Sequence, residues 1–179
     1  SVVEMLGASG VHTHLATDHL HYWEDGGATY HGRFTTFEFF RGQEGDAWKG
    51  QVAAPVVPAG PPNLNEVLKS ELWRQDWVNR AHLATVEQHP QTLTFDAAID
   101  FIRTNAGDDG WFCQIETFDP HEPFFSYRQH RDRFPHDWDG GHLDWPSYSR
   151  VNESAEQVEH VRMQYAALVS MCDDSLGRI

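Results

Sequence analysis

Apolar positions recur at helical spacing in three stretches of the chain. They are Leu64, Val67, Leu68, Leu72, Trp73 and Val78 within Asn63–Arg80; Phe95, Ala98, Ile99 and Ile102 within Phe95–Asn105; and Val158, Val161, Tyr165, Leu168, Val169, Cys172 and Leu176 after Ser154. The pattern predicts three helices. Thr94 is the expected N-cap of the second, with Gly107 just past its end. Ser154 and Gln157 form a capping-box pattern that opens the third, an amphipathic helix of about six turns. A shorter helix is expected over Val2–Ser9, stopped by Gly10. Two stretches instead read as strands from their β-branched and aromatic content, Val11–Thr17 and Phe34–Phe40. The third strand, Trp111–Thr117, is mostly apolar, so it is expected to be parallel and buried on both faces. Between these elements, Asp18–Gly32 and the Gly- and Pro-rich Arg41–Pro62 read as loops, and Phe124–Val151 has no period. Helices alternating with strands predict an α/β architecture, with no internal domain boundary.

Composition narrows the function classes. The 179 residues carry 27 acidic and 13 basic side chains, a formal charge of −14. That balance argues against nucleic-acid binding, which needs a basic footprint, and against docking on anionic membranes. No run approaches the roughly 20 apolar residues that span a bilayer, and no signal peptide is visible at an N-terminus that reads as truncated. Cys113 and Cys172 are too few for a disulfide framework or a Cys-rich zinc site, and both sit in apolar runs expected to bury them. No Gly-Lys-Ser/Thr follows the glycines of the Gly26–Gly50 region, and no Gly-x-Ser-x-Gly elbow exists.

In parallel α/β sheets, ligands bind beyond the C-terminal ends of the strands. Two loops there are chemically loaded. Asp18-His19-Leu20-His21-Tyr22 sets imidazoles beside a carboxylate, which suits a divalent metal, an anionic oxygen, or simply a polar loop packed on itself. Asp119-Pro120-His121-Glu122-Pro123 holds His121 between two prolines, each with a fixed φ and no N–H. An imidazole positioned in this way can donate a hydrogen bond to an anion or a proton to a leaving oxygen; the plainer alternative is a rigid turn with an exposed histidine. Arg128, Arg131 and Arg133, with His130 and His136, could bind an anion, although solvated charge on an irregular loop is the favoured expectation. Trp73, Trp77, Trp138 and Trp145 are expected in core or lid packing rather than as a sugar platform.

The run Gln114-Ile115-Glu116-Thr117-Phe118-Asp119-Pro120-His121-Glu122-Pro123-Phe124 resembles the strand and Pro-His-x-Pro turn of sulfatases in the alkaline-phosphatase superfamily. Gly10–His19 is similar to the family's Gly-Tyr-x-Thr strand, and Tyr165–Ile179 to its Tyr-x-Ala…Asp-x-x-Gly helix, in the same order; Arg41–Arg80 has no counterpart. The resemblance implies a three-layer sandwich with a mostly parallel sheet, of which residues 1–179 are an internal portion. It implies a calcium-dependent hydrolase of sulfate esters whose nucleophile is a formylglycine made in Cys/Ser-x-Pro-x-Arg. That motif lies upstream of these residues in the family, and the Asp-His/Asn-Gly metal motif lies downstream. Neither Ca2+ ligands nor nucleophile are therefore expected within this chain, and the isolated chain is expected to be inactive. The resemblance makes His121 the catalytic residue and general acid, and places His19 and His21 where many sulfatases contact the sulfate through Gly-Lys-Trp-His. The implied partner is a sulfated small molecule or carbohydrate, with no nucleic acid and no membrane. Two alternatives stand beside it: a phosphodiester or phosphonate hydrolase of the same superfamily, and a non-catalytic, His-rich domain that binds metal or a partner.

Overall fold

The computed structural model describes residues 1–61, 70–146, 148 and 150–179. In chain order the regular elements are α1 (Val2–Ala8), β1 (His12–Thr17), β2 (Thr36–Phe39), α2 (Glu71–Arg80), α3 (Pro90–Thr104), β3 (Trp111–Glu116), α4 (Arg128–Arg131) and α5 (Ala155–Leu176). The three strands form a small open sheet, order β2-β1-β3, and every pairing is parallel. The α/β architecture expected from the pattern is thus present. His14 sits opposite Thr36 on one side of β1 and Cys113 on the other. All three strands therefore end at the same edge of the sheet.

Local signals explain most of these elements. Ser1 caps α1 in a reciprocal box with Glu4, and the chain leaves that helix through Gly10 at φ +84, a left-handed value that other residues adopt at a cost. Ser154 and Gln157 make the expected box at the start of α5. β1 is the central strand and the most buried, with Leu15 and Ala16 wholly enclosed. Phe95, Ala98 and Ile99 of α3 and Ala167, Leu168 and Met171 of α5 complete the core around it. The His14 ring lies flat on Phe101 of α3, centroids 4.3 Å apart.

Four expectations need correction. β3 is half-buried along its whole length rather than covered on both faces, because it pairs only with β1 among the described residues. α3 starts at Pro90, not Phe95. A capping box between Thr85 and Gln88 in the preceding 3-10 turn, and a proline at the first helical position, begin it a turn early and leave Thr94 buried in its interior. In the helix expected over Asn63–Arg80, the described part starts after Ser70, whose hydroxyl accepts from the Trp73 N–H; Leu64, Val67 and Leu68 lie outside the described residues. Leu72 there is exposed, and Trp73 takes the core position. Finally, α5 buries Gln157, His160, Ala167, Leu168, Met171 and Ser175. That stripe is one residue out of phase with the apolar one, so Tyr165, Val169 and Leu176 face solvent. The buried polar members have partners: the Ser175 hydroxyl donates to Gln91, and His160 bonds to His136.

A buried ion-pair triad joins α2 to the segment after β3. Arg80, wedged between the rings of Trp77 and Phe125, contacts Asp76 through Nε and Asp144 through Nη1, both at 2.6 Å. The Asp144 contact is an aligned hydrogen bond; the Asp76 contact is close but not aligned as one. The two carboxyls respond differently. Burial pushes Asp76 up to about 7 despite Arg80. Burial also works against Asp144, yet Arg80 and His142 outweigh it and hold that carboxyl far below the usual range. Removing one member of a buried pair strands the other charge, which costs about 3–5 kcal/mol. Asp144→Ala is expected to lower unfolding stability by that order with an unchanged m-value in urea. A loss below about 1 kcal/mol, the range of exposed pairs, would show that Arg80 is adequately solvated without it.

Candidate functional site

The C-terminal edge of the sheet carries both loops singled out from the sequence, and a single carboxylate ties them together. Asp18, immediately after β1, is fully buried. It accepts the backbone N–H of Phe118 at 2.6 Å, just past β3, and the side-chain amide of Gln43 at 2.9 Å from the loop after β2. Asp119 is buried beside it, and the Gln43 amide serves it as well. The other neighbour of Asp119 is His89, which precedes α3, with Nε2 2.9 Å from the carboxyl. Burial, reinforced by Asp18, pushes Asp119 well above the usual carboxylate range, and burial lowers His89 to about 3. Burial thus works against charge on both members of the pair, which share one hydrogen bond.

On this base the three histidines drawn from the sequence come together around one ring. Phe118 lies 4.4 Å from His121, 5.9 Å from His19 and 6.0 Å from His21, centroid to centroid. His19 and His21 meet edge to face at 5.1 Å and line a cavity of about 390 Å³ with Tyr22, Glu24 and Tyr30. His121 is exposed in a turn whose Asp119–Pro120 and Glu122–Pro123 bonds are both cis. Its Nδ1 lies 2.8 Å from the carbonyl oxygen of Glu122, and its Nε2 lies 3.3 Å from the hydroxyl of Tyr148. A carbonyl only accepts, so Nδ1 carries a proton and Nε2 is the position left for exchange.

Carboxylates that the sequence did not single out close in on these rings. Glu24 contacts His21 at 2.8 Å, and the Glu122 side chain lies 3.6 Å from His121. Glu44, in a left-handed conformation at φ +48, has His121, His21, Glu122 and Glu24 as its electrostatic neighbours; burial raises its pKa while both histidines oppose the rise. Glu116, the last residue of β3, receives the Tyr22 hydroxyl at 2.7 and 2.8 Å. Tyr22 was visible as part of its loop. Glu44 was not, because it arrives from an irregular loop with no pattern of its own.

The calcium implied by the resemblance does not fit the residues present. A hard cation of that kind takes six to eight oxygens. Both oxygens of Asp18 are engaged by Gln43 and Phe118, and those of Glu116 by Tyr22 and Gln114. Among the described residues, no three His, Cys, Asp or Glu side chains gather to hold a metal ion. The free thiols of Cys113 and Cys172 are half-buried, and burial pushes them up to about 11 and about 12. No described helix is long and apolar enough to cross a membrane. Comparison with family models, curated proteins and solved structures finds no match for this chain.

Burial raises Asp18 from 3.8 to about 7, partly offset by its two hydrogen bonds. The folded protein thus keeps a proton that the unfolded chain releases near pH 4. Stability contributed by this group is present at low pH, falls as pH rises from about 4 to about 7, and is level above. Asp18→Asn stays neutral throughout. Its melting temperature relative to the unsubstituted protein is expected to climb by several degrees between about pH 5 and about pH 7.5. A difference that does not vary with pH would show that Asp18 is already ionised when buried.

Proposed function

We propose that this chain is an internal part of a hydrolase of sulfate esters, with the alkaline-phosphatase-like three-layer fold that its motifs suggest. The observation that carries this reading is the convergence of His19, His21 and His121 on Phe118 beyond the ends of two parallel strands. The residues come from loops about a hundred positions apart, and nothing in their local sequence required them to meet.

His121 acts on the leaving oxygen. With Nδ1–H committed to the Glu122 carbonyl, the cationic ring has one transferable proton, on Nε2. Donation of that proton to the alkoxide as the S–O bond breaks neutralises the charge that develops there. Tyr148, whose hydroxyl lies within hydrogen-bond distance of Nε2, holds the ring in place between turnovers. His19 and His21 contact the sulfate oxygens from the wall of the adjoining cavity. The nucleophile and the calcium that such an enzyme uses are assigned to residues outside this chain, and no step proposed here passes through them. The substrate is a sulfated small molecule or carbohydrate.

The test uses the intact protein and an aryl sulfate, with the matching aryl phosphate in parallel. His121→Ala is expected to lower turnover of the sulfate by roughly 10²-fold or more, the usual size for losing an acid catalyst. The loss should be smaller for esters with better leaving groups, which need less protonation. Unchanged turnover by the variant, or hydrolysis of the phosphate alone, would overturn the proposal.

A further inference from the structure

A cavity of about 1120 Å³ lies apart from the one beside His19 and His21. It lies between α2, the segment following the His121 turn, and α5, and none of the three site histidines lines it. Its size is at or above the upper range of small-molecule sites. Trp77, Phe125, Tyr127 and Trp138 supply an aromatic lining, and Arg80, Arg128 and Arg131 bring guanidinium groups to it.

The charges are unevenly matched. Arg80 is neutralised by Asp76 and Asp144, and Arg128 faces Asp132 at 3.3 Å. Arg131 has no carboxylate within ion-pair distance among the described residues; its Nη1 donates to the backbone carbonyl of Ser126. Asp144 is the one carboxylate among the described lining residues, and it is committed to Arg80 and to His142 at 2.9 Å. Among the described lining residues no second carboxylate opposes an anion, whereas Glu24, Glu44 and Glu122 crowd the histidine cluster. Burial lowers the pKa of Arg131; Asp132 and Asp144 oppose the shift, and Arg80 and Arg128 add to it.

We infer that this cavity is a second binding site, for a small organic acid that presents one oxyanion group to Arg131 and seats a ring body against Trp77, Phe125, Tyr127 and Trp138. The ring is aromatic or a sugar; both offer a flat apolar face and an acid on the rim. The site does not depend on the role given to His121.

Calorimetry on the intact protein tests it with two acid and neutral pairs: 4-hydroxyphenylacetate against 4-hydroxyphenethyl alcohol, and glucuronate against glucose. At least one acid is expected to bind no less than tenfold more tightly than its neutral counterpart, and the pair that discriminates identifies the ring class. Arg131→Ala should abolish the discrimination, and Arg131→Lys, which keeps the charge, should retain part of it even if the alanine variant folds poorly. Arg103→Ala, which removes a cation that does not line the cavity, should bind as the unsubstituted protein does. Absence of binding by both acids, equal binding of acid and neutral partner, or a loss in Arg103→Ala as large as that in Arg131→Ala would each overturn the inference.

Discussion

The buried carboxyl of Asp18 is the constraint on which the rest of the site depends. It is the first residue past the central strand, and its two oxygens are spent on the N–H of Phe118 and the amide of Gln43. One side chain thereby fixes the ends of β1 and β3 and the loop after β2. A buried acceptor of this kind has few alternatives, since an unsatisfied polar group in the interior costs about 1–3 kcal/mol. Phe118 is held by its own backbone, so its ring becomes a fixed post against which His19, His21 and His121 settle. Through Gln43, Asp119 and His89, the same network reaches the start of α3. The turn that bears His121 is consequently anchored at its first residue, Asp119, and the imidazole two positions later moves only as that anchor allows.

Ionisable groups divide into two regimes. Around Asp18, Asp119 and His89, burial outweighs the neighbours and disfavours the charged form of each group. Around Arg80, the guanidinium is always charged, and it keeps Asp144 ionised against the same burial cost. Buried ion pairs add little net stability compared with apolar packing, but they tolerate no missing partner. Arg80 is the last residue of α2, and Asp144 belongs to an irregular segment with little regular structure of its own. The pair supplies orientation to a stretch that hydrophobic packing alone would leave underdetermined.

Legibility in the sequence followed the range of the interaction. The α5 cap was legible because Ser154 and Gln157 are three residues apart, and β1 because its β-branched content is a local property. The His121 turn could be found from its two prolines and the apolar strand before it. The clamp on Asp18 spans 25 residues to Gln43 and 100 to Phe118, and no local pattern encodes either contact. Glu44 was missed for the same reason. The face of α5 was misjudged on different grounds. Hydrophobicity picks out Val169 and Leu176, whereas the structure buries His160 and Ser175, because hydrogen bonds to His136 and Gln91 remove the cost of taking them out of water. In each case the residue types were readable and their partners were not.

On the proposed reading, the arrangement of charge also separates two jobs, proton donation and anion retention. A net charge of −14 and the glutamates beside His21 and His121 mean that long-range attraction does not draw an anion to the histidine cluster. Interactions beyond a Debye length of about 8 Å at physiological salt are largely screened, and what remains of the field of so acidic a chain repels an anion. Affinity at the cluster must come from contacts at hydrogen-bond range, which discriminate between atoms. Proton transfer to a leaving oxygen is such a contact, because it acts on one atom and strengthens as that atom gains charge. Retention of a stable anion is better suited to the cavity at Arg131, where aromatic side chains line the wall and the one carboxylate among the described lining residues is paired with Arg80. The proposed acid at His121 and the inferred anion site at Arg131 thus fall in different parts of one chain, with different electrostatics around each.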